Sequence, residues 1–222
     1  IIRVDGKAFH SLTKGMDKPF DEKFKECMMY TTEMMFRNID GAKLAYVQSD
    51  EISILLTDYD NIDTSPWFGK KVQKMCSIAS AYATYFFGVK FNELFPKSKK
   101  YGIFDARIWT LPKEEVTNYF IWRQKDCNRN SIQGLGQAHF SHKALQKKSC
   151  NEIQDMLMLE KQINWNDAHT YFKRGGCVYK NLSVDVIESE RVIIDDDIPI
   201  FTKDREYVEH LVQLDVGYAG TK

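Results

Sequence analysis

The sequence predicts an α+β fold, a β-α-β-β-α-β core followed by a helical and small β extension. Apolar runs of strand length stand at residues 1–4, 44–47, 52–56 and 103–110. Long stretches with apolar residues at helical spacing separate the first run from the second and the third from the fourth. The second and third runs are joined only by Gln48-Ser49-Asp50-Glu51, the length of a hairpin turn.

Taken in order, Lys18-Pro19-Phe20-Asp21 reads as a helix start, with Asp21 at the positive end of the helix. Phe24, Cys27, Met28, Thr31, Met34 and Met35 carry that helix to about Ile39, and Asp40-Gly41 ends it. Residues 58–66 are a polar loop. Residues 67–89 predict a helix burying Val72, Met75, Ile78, Ala79, Tyr82, Tyr85 and Phe86. Beyond Pro112 one long helix is expected from Glu114 to about Lys147. Helices at 151–161 and 165–173, a strand at 177–179, and an acidic loop with a strand at 191–194 complete the chain. The expected division is a core over 1–112 and an extension over 113–222, packed as one unit.

This order is the split βαβ, or ferredoxin-like, unit. A right-handed crossover makes its first two strands parallel, with the third lying between them. The first strand therefore ends at the edge where the second turns into the third. Asp5 and Asp50, 45 residues apart, meet there. Acidic residues leaving strand ends are poorly placed for a core and well placed for metal, and this pair suits two Mg²⁺ ions for phosphate chemistry. Glu51, next to Asp50, points to the opposite strand face and is expected to support the site more than to ligate. Gly6-Lys7-Ala8-Phe9-His10 turns back from Asp5 and exposes successive N–H groups, a nest for a triphosphate. The Gly6 carbonyl is a further candidate ligand, Lys18 is within reach of phosphates, and Ser49 has one hydrogen bond to donate. His10 on its own fits a packed or capping role equally well.

The bulk numbers bound the rest. The 222 residues are 43% hydrophobic and 28% charged, enough for one sizeable core under a polar surface. No run approaches bilayer length. The chain opens on Ile1-Ile2 and not on Met, which leaves a preceding segment open. The 5 cysteines are scattered without a CxxC pair, which fits reduced thiols and a cytoplasmic location. His139 and His142 lack partners at ligand spacing, a poor basis for zinc. With 31 basic and 31 acidic residues the net charge is zero, which argues against an indiscriminate nucleic-acid coat. Basic clusters at Lys70, Lys71 and Lys74, at Lys97, Lys99 and Lys100, and at Lys143, Lys147 and Lys148 read singly as solvated faces. The acidic residues Glu188 and Glu190 and Asp195-Asp196-Asp197 gather late.

RVDGKAFHSLTKGMDKPFDEKF (residues 3–24), the QSDE hairpin, FDARIWTLP (104–112) and NYFIWRQKDCNRNS (118–131) resemble the tRNA-His guanylyltransferase family. GQAHFSHKALQKKS (136–149) and INWNDAHTYFKRG (163–175) resemble its bacterial and phage-type branch of 3′→5′ polymerases. The resemblance implies a polymerase-palm fold that adds nucleotides to the 5′ end of tRNA, as a homotetramer. It implies two Mg²⁺ on Asp5, Asp50 and the Gly6 carbonyl, and ATP and GTP or another NTP as substrates. It places triphosphate contacts on the backbone after Gly6, on His10, Lys18 and Ser49. Arg107 falls near phosphate or the tRNA end, and Asp126, Asn128, Arg129, Asn130 and Ser131 occupy the corresponding positions of the long helix. Asn128-Arg129-Asn130-Ser131 stands where eukaryotic members carry His-Ile-Asn-Asn, which speaks against strict addition of one G. Phe20 replaces the usual Asn after Lys-Pro, and Lys71, Gln73 and Lys74 compete for one basic helix position.

The implied chemistry activates a 5′ end, by ATP adenylylation or as a triphosphate, for attack by the 3′-hydroxyl of the incoming nucleotide, with no protein nucleophile. Trp122 and Tyr119 are candidates for stacking on the RNA end. Two other functions share parts of the pattern. A palm-type nucleotide cyclase shares the carboxylates and would work without RNA. A non-catalytic ferredoxin-like RNA-binding module requires exposed aromatics on the central strands, where residues 44–47 offer only Tyr46.

Overall fold

Alternation along the first strand decides which residues meet the core. In the computed structural model, which describes residues 1–59, 63–180 and 192–212, Ile2 and Val4 are buried while Arg3 and Asp5 are half-buried on the other face. The strands are β1 (Ile2–Gly6), β2 (Ala42–Gln48), β3 (Glu51–Leu56), β4 (Phe104–Ile108), β5 (Gly176–Lys180) and β6 (Val192–Asp195). They form one six-stranded sheet in the order β4-β1-β3-β2-β5-β6, every neighbouring pair antiparallel. β1 and β2 are thus parallel with β3 between them, as the crossover rule requires. β5 and β6 lengthen the sheet beyond β2. Of the expected acidic loop, Glu188, Glu190 and the strand residue Arg191 lie outside the described residues.

Helices α2 (Glu22–Asn38) and α3 (Val72–Leu94) cover one face. Asp21 caps α2 by accepting from the Phe24 N–H at 2.8 Å. Cys27, Met28 and Met35 of α2 pack with Phe87 and Phe91 of α3 onto Val4, Ile52 and Ile54. Each such fully buried side chain contributes roughly 2 kcal/mol. Helix α4 (Val116–His139) covers part of the opposite face, where Phe120 meets Leu44 and Tyr46 of β2 together with Phe201. The β4 edge of that face stays accessible: Asp105 and Arg107 are exposed. Tyr46 is fully buried and donates to the Arg174 carbonyl at 2.7 Å, so β2 presents no aromatic for RNA.

Several expectations need correction. The helix expected from residue 67 begins as a separate 3-10 turn, Trp67–Lys70, in which Phe68 and Gly69 are left-handed. On α3 the interior stripe is Met75, Ala79, Ala83 and Phe87, so Val72 and Tyr85 point away, 52% and 65% exposed. The long helix does not reach Lys147. Phe140 turns extended and packs against the cluster of Ile132, Leu135, Ile153 and Leu157, and Ser141 caps a new turn, α5 (His142–Leu145). At Gly136 a Cβ would lie 2.7 Å from Ile153, so the glycine lets α6 (Cys150–Lys161) pack close. The expected 165–173 helix is a 3-10 turn, Trp165–Asp167, and a short α7 (Thr170–Arg174), separated by extended Ala168. Two short helices were not anticipated, α1 (Phe9–Leu12) and α8 (Glu206–Val212). All 5 cysteines are free thiols. Among the described residues no helix is long and apolar enough to cross a membrane.

Candidate active site

The end of β1 is tied to the β2–β3 turn by the backbone itself. The Gly6 N–H donates to the Asp50 carbonyl at 3.0 Å, and the next N–H, of Lys7, donates to Ile103 at 2.7 Å. Gly6 is required there because a Cβ would sit 2.3 Å from the Phe9 ring, which folds back beneath it. In the turn, Ser49 is left-handed (φ 48°) and donates from its hydroxyl to Asp50 Oδ1 at 3.0 Å. Asp5 and Asp50 are thereby brought together at one sheet edge. Burial raises the Asp50 carboxyl to about 6, the Asp5 charge adding to the effect and the Ser49 hydrogen bond opposing it. Two carboxylates held in mutual repulsion beside backbone carbonyl oxygens form an all-oxygen donor set, which fits a hard divalent cation such as Mg²⁺.

A cavity of about 390 Å³ opens beside this pair, lined by Gly6, Ala8, His10, Thr13, Ser49 and Asp50. Ala8 is left-handed (φ 56°), and the N–H groups of Ala8, Phe9 and His10 have no partner among the described residues. The Phe9 ring is not part of the cavity's polar wall. It is core, 4.9 Å from Phe104 and 5.2 Å from Phe87, and only its backbone is available to a ligand. Lys7 is exposed. Through Thr13, Phe24 and Ser49 the cavity meets a second one of about 320 Å³, lined by Lys18, Phe20, Asn130, Ser131, Gln137 and Phe172. Phe20 stacks on Phe172 at 4.6 Å at its wall, a role the sequence did not suggest. Together they form a groove of nucleotide dimensions with Asp50 at one end and polar helix residues at the other.

The helix residues divide. Asn130 and Ser131 reach the groove, where Ser131 also accepts from Trp165 Nε1 at 3.0 Å. Asn128 instead turns its amide to α7, donating to the Lys173 carbonyl and to Gln124 at 3.1 Å. Asp126 accepts from Arg123 at 3.0 Å and is also paired with Arg129. Arg107 is not in the groove. It stands opposite Arg3 on the accessible face, 3.3 Å from Asp105, which is itself opposite Asp5.

Glu51 is engaged elsewhere than in metal ligation. Both its oxygens accept from Arg123, at 2.7 Å each, a bidentate pair with side chains only 12% and 7% exposed. Its carboxyl is raised by burial, with Arg123 pulling the other way. Sequence reasoning missed Arg123. The available signal was an arginine one helical turn after Tyr119 on the face meeting the sheet. Tyr119 itself is buried, hydrogen-bonded to Ser53 at 2.7 Å, and so is no stacking platform, whereas Trp122 is exposed.

The raised Asp50 carboxyl has consequences of opposite sign for activity and stability. Metal ligation by Asp50, proposed below, requires the deprotonated group, so at limiting Mg²⁺ activity is expected to fall as pH drops through about 6. Higher Mg²⁺ should move this limb to lower pH. In metal-free protein, stability is lost as pH rises from the ordinary carboxylate range through about 6, because the folded state holds the proton more tightly. Asp50→Asn should therefore raise the melting temperature at pH 8 and leave it unchanged at pH 4, read by thermal melts in EDTA.

A carboxylate-edged palm with a nucleotide-sized groove defines the class, and comparison with known proteins gives the family. A family model described as tRNAHis guanylyltransferase matches residues 1–112. A solved bacterial tRNA(His) guanylyltransferase-like protein in complex with ATP is 45% identical, with a TM-score of 0.89 over 96% of this chain and 90% of that one. A bacterial tRNA(His) guanylyltransferase-like protein in complex with GTP is 40% identical, with a TM-score of 0.79 over 96% of this chain and 88% of that one. The tRNA(His) guanylyltransferase of Debaryomyces hansenii is 28% identical over 79% of this chain and 71% of its own length. The chain belongs to the tRNA-His guanylyltransferase family, whose members are nucleotidyltransferases.

Proposed function

We propose that this chain adds nucleotides in the 3′→5′ direction to the 5′ end of a tRNA, for 5′-end repair or for G addition to tRNA-His. The observation that carries the reading is the convergence of Asp5 and Asp50 at one sheet edge, where Asp50 lines a groove that runs on to Lys18 and Asn130. Nucleotide complexes of two similar bacterial proteins, one with ATP and one with GTP, support it. Asp5, Asp50 and the Gly6 carbonyl would hold two Mg²⁺ ions. When bound, these supply charge neutralisation for the phosphates and acidify the attacking hydroxyl.

The chain's own residues bind and orient. The N–H groups after Lys7 and the side chains of His10, Lys18 and Ser49 receive the triphosphate, while Asn130 and Ser131 line the far end of the groove. The 5′ end arrives as a triphosphate or is first adenylylated by ATP. The 3′-oxygen of the held nucleotide bonds to the activated 5′ phosphorus as pyrophosphate or AMP departs. Glu51 keeps the hairpin and α4 in register and takes no direct part. We place the enzyme in the cytoplasm, as a homotetramer in which residues 1–112 and 113–222 act as one unit through their shared sheet.

A panel of tRNAs lacking the 5′-terminal nucleotide, assayed with each NTP, tests the proposal. The expected result is Mg²⁺-dependent extension with the nucleotide that pairs to the opposite acceptor base. Indifference to the opposing base would favour a dedicated tRNA-His role. Release of a cyclic nucleotide without RNA, or RNA binding with no extension of any substrate, would overturn the proposal.

A further inference from the structure

On α4, the helix on the sheet face opposite α2 and α3, one large aromatic is left open. Trp122 is 53% exposed, on the same stripe of α4 as the exposed Asn118, Lys125 and Arg129. Its ring is nonetheless fixed. The Arg123 guanidinium lies over it at 4.4 Å, and the Tyr119 ring braces it at 5.9 Å. Arg123 is itself immobilised by its bidentate pair with Glu51, the residue next to Asp50, and Tyr119 by its hydrogen bond to Ser53 of β3. The ring is therefore registered to the hairpin that carries the carboxylate. Of the two cations paired in register on β1 and β4, Arg107 is exposed beside Asp105, whereas Arg3 is largely buried, over the Trp109 ring at 5.5 Å and 4.0 Å from Glu51.

A rigid, half-exposed indole one helical turn from the exposed Lys125 matches a nucleic-acid terminus, which offers a flat base and anionic phosphate. We infer that Trp122 is the platform on which the terminal base of the acceptor end stacks, positioning the RNA 5′ phosphate toward Asp5 while the exposed Arg107 faces the backbone. This rests on the reading under Proposed function and names how its RNA substrate is held. It also separates two binding surfaces: the nucleotide occupies the groove on the Lys18 side, and the RNA end occupies the sheet face on the Arg107 side.

The test uses an acceptor-stem hairpin lacking its 5′-terminal nucleotide and carrying a 5′ triphosphate, with wild type, Trp122→Leu and Trp122→Phe. Trp122→Leu should raise the RNA Kd, and the KM for RNA, roughly tenfold, the loss of one base–aromatic stack. The KM for NTP should stay unchanged, which also reports an intact fold, and Trp122→Phe should recover most of the RNA affinity. Wild-type RNA affinity in Trp122→Leu, equal losses for RNA and NTP with no recovery by Phe, or a change confined to oligomeric mass would each overturn the inference. Failure of the wild type to extend the hairpin would instead remove the underlying reading; extension by wild type and Trp122→Leu with equal kinetics would remove this inference alone.

Discussion

Asp5→Ala and Asp50→Ala are each expected to lower nucleotide addition at least about a thousandfold while leaving the fold intact. The size of the loss follows from what the two groups do. In the proposed function they are the charged ligands of a cation site at the sheet edge, and neither neighbouring carboxylate replaces them. Glu51 is held by Arg123, and Asp105, though opposite Asp5, is exposed and paired with Arg107. The fold should survive because neither carboxylate supports packing. Asp5 ends a strand, and Asp50 is strained by burial and by its neighbour's charge, so its removal relieves the folded state. Extension of a truncated tRNA at wild-type rate by either variant would contradict this assignment.

Arg123→Ala is expected to be the most damaging substitution outside the carboxylate pair, through stability as much as activity. It leaves the Glu51 carboxylate buried without a bidentate partner and removes one of the groups that hold Asp126. Breaking one side of a buried ion pair costs about 3–5 kcal/mol, which for a chain of this size lowers the melting temperature by roughly 10 °C. Activity should fall further than stability alone explains, since the pair holds the Asp50 hairpin against the helix that carries Asn130. Glu51→Gln combined with Arg123→Met removes both charges and should restore most of the stability, the sign of a coupled pair. Additive losses in the double variant would show that the two side chains act independently.

The parts of this architecture legible in the sequence are those set by local pattern and chain geometry. The four core strands are short apolar runs bounded by turns, and once the third is a hairpin partner of the second, the crossover rule alone brings Asp5 to Asp50. What stayed hidden depends on contacts between distant segments. Phe140 ends α4 because the side chains of α6 offer it a pocket, which helical spacing cannot register. Tyr85 falls on the buried side of an averaged helical stripe, yet small Ala79 and Ala83 set the real line of contact. Arg123 reads as a surface charge until β3 supplies Glu51 opposite it. The candidate site divides the same way. Backbone-defined positions, Gly6, Ser49 and Asp50, fall together, while Phe9 and Asn128 are turned by packing into the core and onto α7.

Manganese binding followed by electron paramagnetic resonance reports most directly on the pairing of these carboxylates. With a non-hydrolysable NTP present, the wild type should bind two Mn²⁺ per chain, and Asp5→Ala and Asp50→Ala should each weaken that binding at least tenfold without unfolding. Mn²⁺ stoichiometry and affinity unchanged in both variants would show that the two side chains do not share a metal site.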